Sequence, residues 1–237
     1  NWYQMKFERF EFKFSEEHVK LIDFLNRIEF SMKKDPYCAD GPYTVDSIYF
    51  DCKFLKDFHD KQNALLVRGK FRLRAYGNIF HAKKVFLEYK GKHGDFVIKE
   101  RIEITSEMVK MILNGAPIST ILGKNINGFS YSVARELLMR PTLKPLTIVS
   151  YDRMAFILKI DDRIRLTIDS DIRSKRYVGP YNRKDLFSMR GGLSVMELKF
   201  EKDLPKIINE AIKKLDMVRV SNSKAEFSFE ENAIHWI

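Results

Sequence analysis

The sequence has few of the residues on which common catalytic and structural motifs depend. Its two cysteines, Cys38 and Cys52, are too few for a disulfide framework and have no metal-ligand spacing. It contains no glycine-rich phosphate loop, no GxSxG nucleophile elbow and no zinc signature. It also lacks a signal-peptide pattern and any run of about eighteen apolar residues. We therefore expect a chain of the reducing cytoplasm, or of the cytoplasmic face of a membrane, that does not itself span one.

The composition indicates a globular protein with an anionic partner. Of its 237 residues 45% are hydrophobic, including 19 Phe and 10 Tyr, which is more than disordered chains carry. Lysine and arginine outnumber the acidic residues by 42 − 32 = 10. Such an excess favours phosphate, nucleic acid or a lipid headgroup as ligand, and its sign alone does not choose among them.

Alternation of apolar and polar residues marks most of the chain as β-strand. Eight segments show this period: Met5–Phe14, Tyr43–Asp51, Val67–Tyr76, Lys83–Lys90, Phe96–Ile104, Leu146–Lys159, Arg163–Ser170 and Ser194–Glu201. An even number of mostly hairpin-linked strands permits closure into a barrel. The pattern predicts an α+β fold, predominantly antiparallel β, in which an eight-stranded closed barrel has its helices packed outside and one domain covers residues 1–237; the resemblance described below implies that this barrel is a tunnel.

Helical periodicity occurs only between the predicted strands. Ser15 is placed to cap a helix with an apolar face, and Leu204 to Leu215 form an amphipathic stripe. Two further segments are predicted to be short helices. Thr105–Asn114 ends before Gly115, and Ser130–Arg140 ends before Pro141, as expected where helices end. These helices need an apolar sheet face on which to pack.

The strands carry their charges on one face, because residues two apart point to the same side. Shared faces hold Arg72 with Arg74, Glu88 with Lys90, Lys99 with Arg101, Arg163 with Arg165, Glu197 with Lys199, and Glu11 with Lys13. In an ordinary sandwich such a face is solvated and needs no function, and that interpretation remains open. The predominance of arginine and lysine with isolated glutamates favours an inward-facing arrangement instead.

An inward-facing set of cations predicts a polyanionic ligand, since buried like charges repel one another and lose hydration. Arginine forks match phosphate oxygens, and lysines supply compact point charges. Isolated glutamates among them are suited to a hard divalent ion that bridges phosphate oxygens.

Seven short segments together resemble a known family. They are RFEFKF at Arg9–Phe14, SIYFD at Ser47–Asp51, FRLRAYG at Phe71–Gly77, FLEYK at Phe86–Lys90, YDRMAF at Tyr151–Phe156, RIRLTID at Arg163–Asp169 and VMELKF at Val195–Phe200. In this order they resemble the catalytic domain of the vacuolar transporter chaperone (VTC) family, a polyphosphate polymerase branch of the CYTH-like triphosphate tunnel metalloenzymes. The resemblance covers nearly the whole chain.

The resemblance implies a tunnel in which basic residues hold a nucleotide and a growing polymer. The residues that fall on phosphate-binding positions are Lys13, Arg72, Arg74, Lys90, Arg153, Arg165 and Lys199, with Lys99 as a further one. Arg101, on the same strand face, and Lys224, after the terminal helix, complete the predicted phosphate-binding set. Glu197 falls on the metal-ligand position, which implies Mn²⁺ or Mg²⁺, and Glu88 and Glu11 are assigned to assist it. The expected catalytic set is Lys13, Arg72, Arg74, Lys90, Arg153, Arg165 and Glu197.

Three departures distinguish this chain from the family pattern. Arg9 stands where the wider superfamily has the first acidic residue of Glu-x-Glu-x-Lys, which suits the polymerase branch. Ser221 and Lys224 occupy a stretch in which a pair of lysines is usual, so one charge is missing. Lys92, followed by His93, stands at a position where some members have histidine. We expect these changes to affect efficiency rather than phosphate binding.

The predicted function is transfer of the γ-phosphoryl group of ATP to inorganic polyphosphate or pyrophosphate. Positioning by arginine, lysine and one metal ion is sufficient for this chemistry, which needs no side-chain nucleophile. Two alternatives remain at this stage: a tripolyphosphate or nucleoside triphosphate hydrolase of the same fold, and a non-catalytic module that binds polyphosphate or inositol phosphate. Nucleic acid is not expected as a partner, whereas a membrane protein outside this chain is compatible with the resemblance.

Overall fold

A computed structural model describes residues 10–52, 54–94, 96–221, 224 and 228 of the chain. Its strands are β1 (Phe10–Glu16), β2 (Met32–Lys34), β3 (Tyr43–Asp51), β4 (Val67–Tyr76), β5 (Val85–His93), β6 (Phe96–Ile104), β7 (Lys144–Leu158), β8 (Asp161–Arg176), β9 (Phe187–Ser188) and β10 (Ser194–Phe200). Its helices are α1 (His18–Ile28), α2 (Lys56–Gln62), α3 (Ser106–Leu113), α4 (Ile118–Leu122), α5 (Tyr131–Leu138) and α6 (Lys206–Lys214).

The strands follow the predicted period closely. β3, β4 and β6 begin and end where the alternation predicts, and every other predicted segment overlaps a strand. The first is described from Phe10 onward, and residues 5–9 of that prediction lie outside the described part of the chain. The short strands β2 and β9 were not predicted, because two or three residues carry no measurable period.

The chain divides into two compact units, to both of which β7 and β8 contribute residues. The first comprises residues 1–43, 151–172 and 188–222. Its strands lie in the order β1-β10-β8-β7, with β2 paired to β7. Alternate residues such as Leu166, Met196 and Leu198 are fully buried in a core that includes Leu21 of α1 and Ile208 of α6. The helices of this unit therefore pack on the apolar face of its strands.

The second unit comprises residues 44–150, 173–187 and 223–237, and its strands lie in the order β7-β3-β4-β5-β6. Ile48, Leu73 and Leu87 are fully buried in a core that includes Val109 of α3 and Val133 of α5. The helices again pack on the apolar face. The residues two apart that carry charge lie on the opposite face of the same strands.

The α+β, predominantly antiparallel fold with helices packed against its strands is confirmed, but its closure is not shown. In the described part of the chain β6 pairs only with β5. β1 pairs with β10 and adds a single bridge between Phe14 and Arg219. The prediction of one domain over residues 1–237 stays a prediction. No helix in the described ranges has the length and apolar character needed to cross a bilayer.

The helix caps confirm two of the predicted boundaries and correct a third. Thr105 caps α3 by accepting a hydrogen bond from the Met108 N–H at 3.3 Å, and Gly115 follows with a φ of 95°. Ser15 does not cap α1, because it belongs to β1, and the cap position is Glu17 without a side-chain bond. The sheet continues further into this segment than the helical pattern indicated.

Two glycines allow an aromatic ring to lie against the backbone of β4 and β5. Gly69 and Gly91 are directly paired, and the buried Tyr89 side chain lies over both. A Cβ at Gly69 would lie 2.1 Å from the Tyr89 Oη, and one at Gly91 would lie 2.6 Å from the ring. Neither position therefore accommodates a side chain while the ring stays in place.

Replacing Gly69 by alanine tests this packing. We expect Gly69→Ala to lower the free energy of unfolding by about 1–3 kcal/mol, the range for overpacking a core, as measured by urea unfolding. In a Tyr89→Leu background the same change is expected to have a smaller effect, because the ring is gone. An equal loss in both backgrounds would show that the ring does not set the requirement.

Candidate functional site

In the second unit, strand pairing aligns polar side chains into rows across the charged face. We call Tyr49, Arg72, Glu88 and Arg101 the arginine row, because they stand opposite one another on β3, β4, β5 and β6. Arg72 Nε and Nη2 donate to Glu88 Oε2 at 2.8 and 2.6 Å. Arg74 Nε lies 3.9 Å from the same oxygen. Glu88 is thus a shared counter-ion of two arginines.

The environment of Glu88 keeps it ionised. Burial raises the pKa of this carboxyl, but the positive charges of Arg72 and Arg74 outweigh burial and lower the pKa below its ordinary value. The side chains of Glu88, Arg74 and Arg72 are 14%, 15% and 20% exposed, which is far from a freely solvated surface. The interpretation as an ordinary solvated sheet face therefore does not describe this part of the molecule.

The next row along the same strands contains only lysines. Lys70, Lys90 and Lys99 are directly opposite one another on β4, β5 and β6, and we call them the lysine row. Beyond it Arg68 stands opposite Lys92. Like charges directly opposite in a sheet are destabilising, and these paired positions include no carboxylate. An extended polyanion would relieve that repulsion.

In the first unit, the charged face alternates in sign. Two rows of side chains cross β1, β10 and β8. One consists of Glu11, Lys199 and Arg165, and the other consists of Lys13, Glu197 and Thr167. Lys13 Nζ lies 3.1 Å from Glu11 Oε1, and Lys199 Nζ lies 3.5 Å from Glu197 Oε2. Lys13 and Lys199 therefore each have an acid two residues along their own strand as well as one across from them, whereas Arg165 stands opposite Lys199.

Arg153 is held by a buried carboxylate in this unit. Its Nε and Nη2 donate to the two carboxylate oxygens of Asp169 at 2.6 and 2.7 Å, and Asp169 is completely buried. Its guanidinium also lies 5.2 Å from the centre of the Tyr151 ring. Burial lowers the pKa of Arg153, but Tyr151, Asp169 and Glu197 outweigh it and raise the pKa well above its ordinary value. Arg153 is a permanent, oriented cation.

The fit of a divalent cation differs among the three glutamates assigned to it. Thr167 Oγ1, opposite Glu197, is buried with no hydrogen-bond partner in the described part of the chain. A carboxylate and a hydroxyl side by side are suited to Mg²⁺ or Mn²⁺, which takes its remaining ligands from water and phosphate. Glu88 fits less well, because one of its oxygens already accepts both Arg72 bonds. The described residues contain no group of three His, Cys, Asp or Glu able to hold a metal.

The other predicted site residues lie at more open positions. Arg165, Lys99 and Arg101 are exposed, whereas Lys224 is half-buried. Arg165 Nε donates to the Asp162 carbonyl at 3.4 Å, and the Arg101 guanidinium lies 4.7 Å from the centre of the Phe86 ring. The structure thus brings the predicted residues together in two sets, one in each unit, and leaves three of them with exposed side chains.

Residues of these faces that were absent from the predicted site include Asp169, Thr167, Tyr49 and Lys70. Asp169 and Thr167 continue the period of Arg163 and Arg165 along β8, so the alternation itself contained the signal. Tyr49 was hidden because a tyrosine in a strand is typical of packing.

Comparison with known proteins identifies a family and proteins of similar fold. A family model described as VTC domain matches residues 8–228. A Hippeastrum protein, HpAC1, described as an adenylyl cyclase candidate with a dominant triphosphatase activity, is 12% identical with a TM-score of 0.55, over 95% of this chain and 97% of that one. PH1819 from Pyrococcus horikoshii OT3 is 16% identical with a TM-score of 0.49, over 95% and 100% of the chains. A search of curated proteins gives no significant match.

Replacing Glu88 tests its role as counter-ion. We expect Glu88→Gln to lower the free energy of unfolding by about 1.5–3 kcal/mol, because Arg72 loses two bonds to a charged acceptor. Added tripolyphosphate should then stabilise the variant more than the wild type, as measured by thermal denaturation without metal.

Glu103→Gln is the matched control for this experiment. Glu103 pairs with Lys84 at 3.2 Å on an exposed part of the same sheet, so its loss should change stability by less than about 1 kcal/mol. Equal stabilisation of wild type and Glu88→Gln by tripolyphosphate would contradict the counter-ion role.

Proposed function

Because the chain belongs to the VTC domain family, we propose that it is a metal-dependent phosphotransferase that extends inorganic polyphosphate with the γ-phosphoryl group of ATP. The observation that carries this proposal is the lysine row beside the arginine row. A single phosphate does not need such a row, whereas a chain of phosphates can contact several cations in succession. We further propose that the protein acts in the cytoplasm, with nucleic acid excluded as substrate and a membrane protein as a compatible partner.

The bond changes of the proposed reaction need no protein nucleophile. A terminal oxygen of the polyphosphate chain forms a bond to the γ-phosphorus, and the bond from that phosphorus to the bridging oxygen breaks with its electron pair leaving on ADP. Arg72 and Arg74 in the second unit, and Arg153 in the first, are each oriented by an ion pair within their own unit, and each is suited to a phosphate oxygen that gains negative charge. We assign the binding of further phosphate groups to the other predicted cations, which are Lys13, Lys90, Lys99, Arg101, Arg165, Lys199 and Lys224.

A divalent cation would be held by Glu197, with Thr167 beside it. When bound, such an ion neutralises charge on the transferred phosphoryl group. We assign Glu88 primarily to orienting Arg72, and Glu11 to pairing with Lys13. Glu197 is therefore the residue whose loss should most directly affect metal dependence.

Hydrolysis is the competing activity, since a protein of similar fold, HpAC1, is described with a dominant triphosphatase activity. The two activities differ in whether water or a phosphate chain accepts the phosphoryl group. Incubation of the purified protein with ATP and Mn²⁺ separates them. We expect acid-labile polymer together with ADP, and free phosphate without polymer would establish a hydrolase instead.

A non-catalytic module is the third outcome of the same experiment. We expect Glu197→Ala to retain polyphosphate binding and to lose turnover. If the wild type binds polyphosphate but turns over no substrate with any divalent metal, the protein is a binding module. If it binds no phosphate compound at all, the phosphate assignment itself is wrong.

Substitution of the held arginines gives a quantitative test. We expect Arg72→Ala, Arg74→Ala and Arg153→Ala each to reduce kcat/KM by about tenfold to a thousandfold, the range for losing one charge-assisted contact in the transition state. Arg27→Ala is the control, because Arg27 lies on α1 with an exposed partner, Asp23, at 3.1 Å. Unchanged kinetics in all three variants would overturn the site.

A further inference from the structure

Tyr49 lies within the arginine row but faces no acidic partner. Its side chain is only 4% exposed, and its Oη accepts a hydrogen bond from Arg72 Nη1 at 3.0 Å. Lys70 Nζ and Arg72 Cζ lie 5.6 and 5.7 Å from the centre of the ring. Across the described ranges of the chain, no group accepts the hydrogen of the Tyr49 hydroxyl. Buried donors without an acceptor are rare, so this hydrogen is unusual.

The charges around the Tyr49 hydroxyl determine which kind of hydrogen-bond acceptor is favourable there. Arg72, Lys70 and Arg74 on β4 all act on Tyr49 with positive charge. An acceptor in that field is favourable when it is anionic, and Arg72 donates to the phenol oxygen rather than competing for its hydrogen. A phosphate oxygen bound beside Arg72 has the required charge and needs no reorientation of the ring.

We propose that Tyr49 is a further phosphate-contacting residue, whose hydroxyl donates to an oxygen of the phosphate bound at Arg72. This inference rests on the proposed function and adds a neutral donor to a set of cations. It also makes phosphate binding depend on the protonation of one phenol. Loss of that proton removes the donor and places a negative charge where the anion binds.

The proton is held less tightly than in an ordinary tyrosine. Burial raises the pKa of Tyr49, but Arg72, Lys70 and Arg74 outweigh burial and lower the pKa to about 8. Glu88 is bonded to the same Arg72, while Asp51, further along β3, accepts backbone hydrogen bonds from Cys52, Asp57 and Phe58. Residues 146–150 of β7, the other neighbour of β3, are uncharged.

The sign of the pH dependence follows from these contacts. Below about pH 8 the phenol is protonated and donates to phosphate, and above it the tyrosinate repels phosphate. A bound anion in turn favours the protonated form and raises the pKa of the phenol. Phosphate affinity should therefore fall as the pH rises through about 8.

Metal-free binding of tripolyphosphate, measured by calorimetry from about pH 7 to about pH 9.5, tests the proposal. We expect the wild-type affinity to approach a tenfold fall per pH unit above about 8. Tyr49→Phe should bind about tenfold more weakly at about pH 7, as for loss of a bond to a charged acceptor, and its affinity should lack the step near pH 8. Tyr131→Phe, at an exposed position on α5, should match the wild type.

A second readout, the ultraviolet difference absorbance of tyrosinate in the wild-type protein, does not depend on the folding of the variant. One phenol should titrate near pH 8, and tripolyphosphate should move that titration upward. The same pH profile in Tyr49→Phe and wild type, or a titration that tripolyphosphate leaves unchanged, would overturn the role of Tyr49 while leaving the proposed function intact. Wild-type protein that binds no tripolyphosphate at any pH would overturn both.

Discussion

The charged faces depend on a balance between many cations and a few buried carboxylates. Glu88 accepts two bonds from Arg72, and Asp169 accepts two from Arg153. A half-buried arginine without such a partner would lose hydration without forming an ion pair that compensates for it. The carboxylates therefore orient the guanidinium groups before any ligand binds, and preorganised charges are the ones most effective at a developing negative charge.

Helix packing determines which face is left for these charges. In the first unit α1 and α6 contribute to the core beneath β8 and β10, and in the second α3 and α5 contribute to the core beneath β4 and β5. A strand has only two faces, so covering one with apolar side chains assigns the other to polar residues. Many of the arginines and lysines of the strands thereby share these faces.

The sequence predicts those features that one strand can encode alone. Alternation located β3, β4 and β6 to the residue and identified the charged side of β4 and β6. It did not predict that Lys70 would stand opposite Lys90 or that Arg72 would meet Glu88, because register depends on pairs of strands. Helix α2 was missed for a related reason: the free amides of Asp57 and Phe58 at its start are bound by Asp51, a tertiary contact that no local pattern shows.

The arginine row and the lysine row also differ in composition, which bears on how anions of different length would bind to this face. Rows two residues apart lie ~6.8 Å from each other along the strands. A compact anion that reaches only the arginine row competes with Glu88, whereas a longer one would also extend over Lys70, Lys90 and Lys99. Under the proposed function, a longer polyphosphate would therefore contact more cations than a short one, without a side chain that measures the end of the polymer.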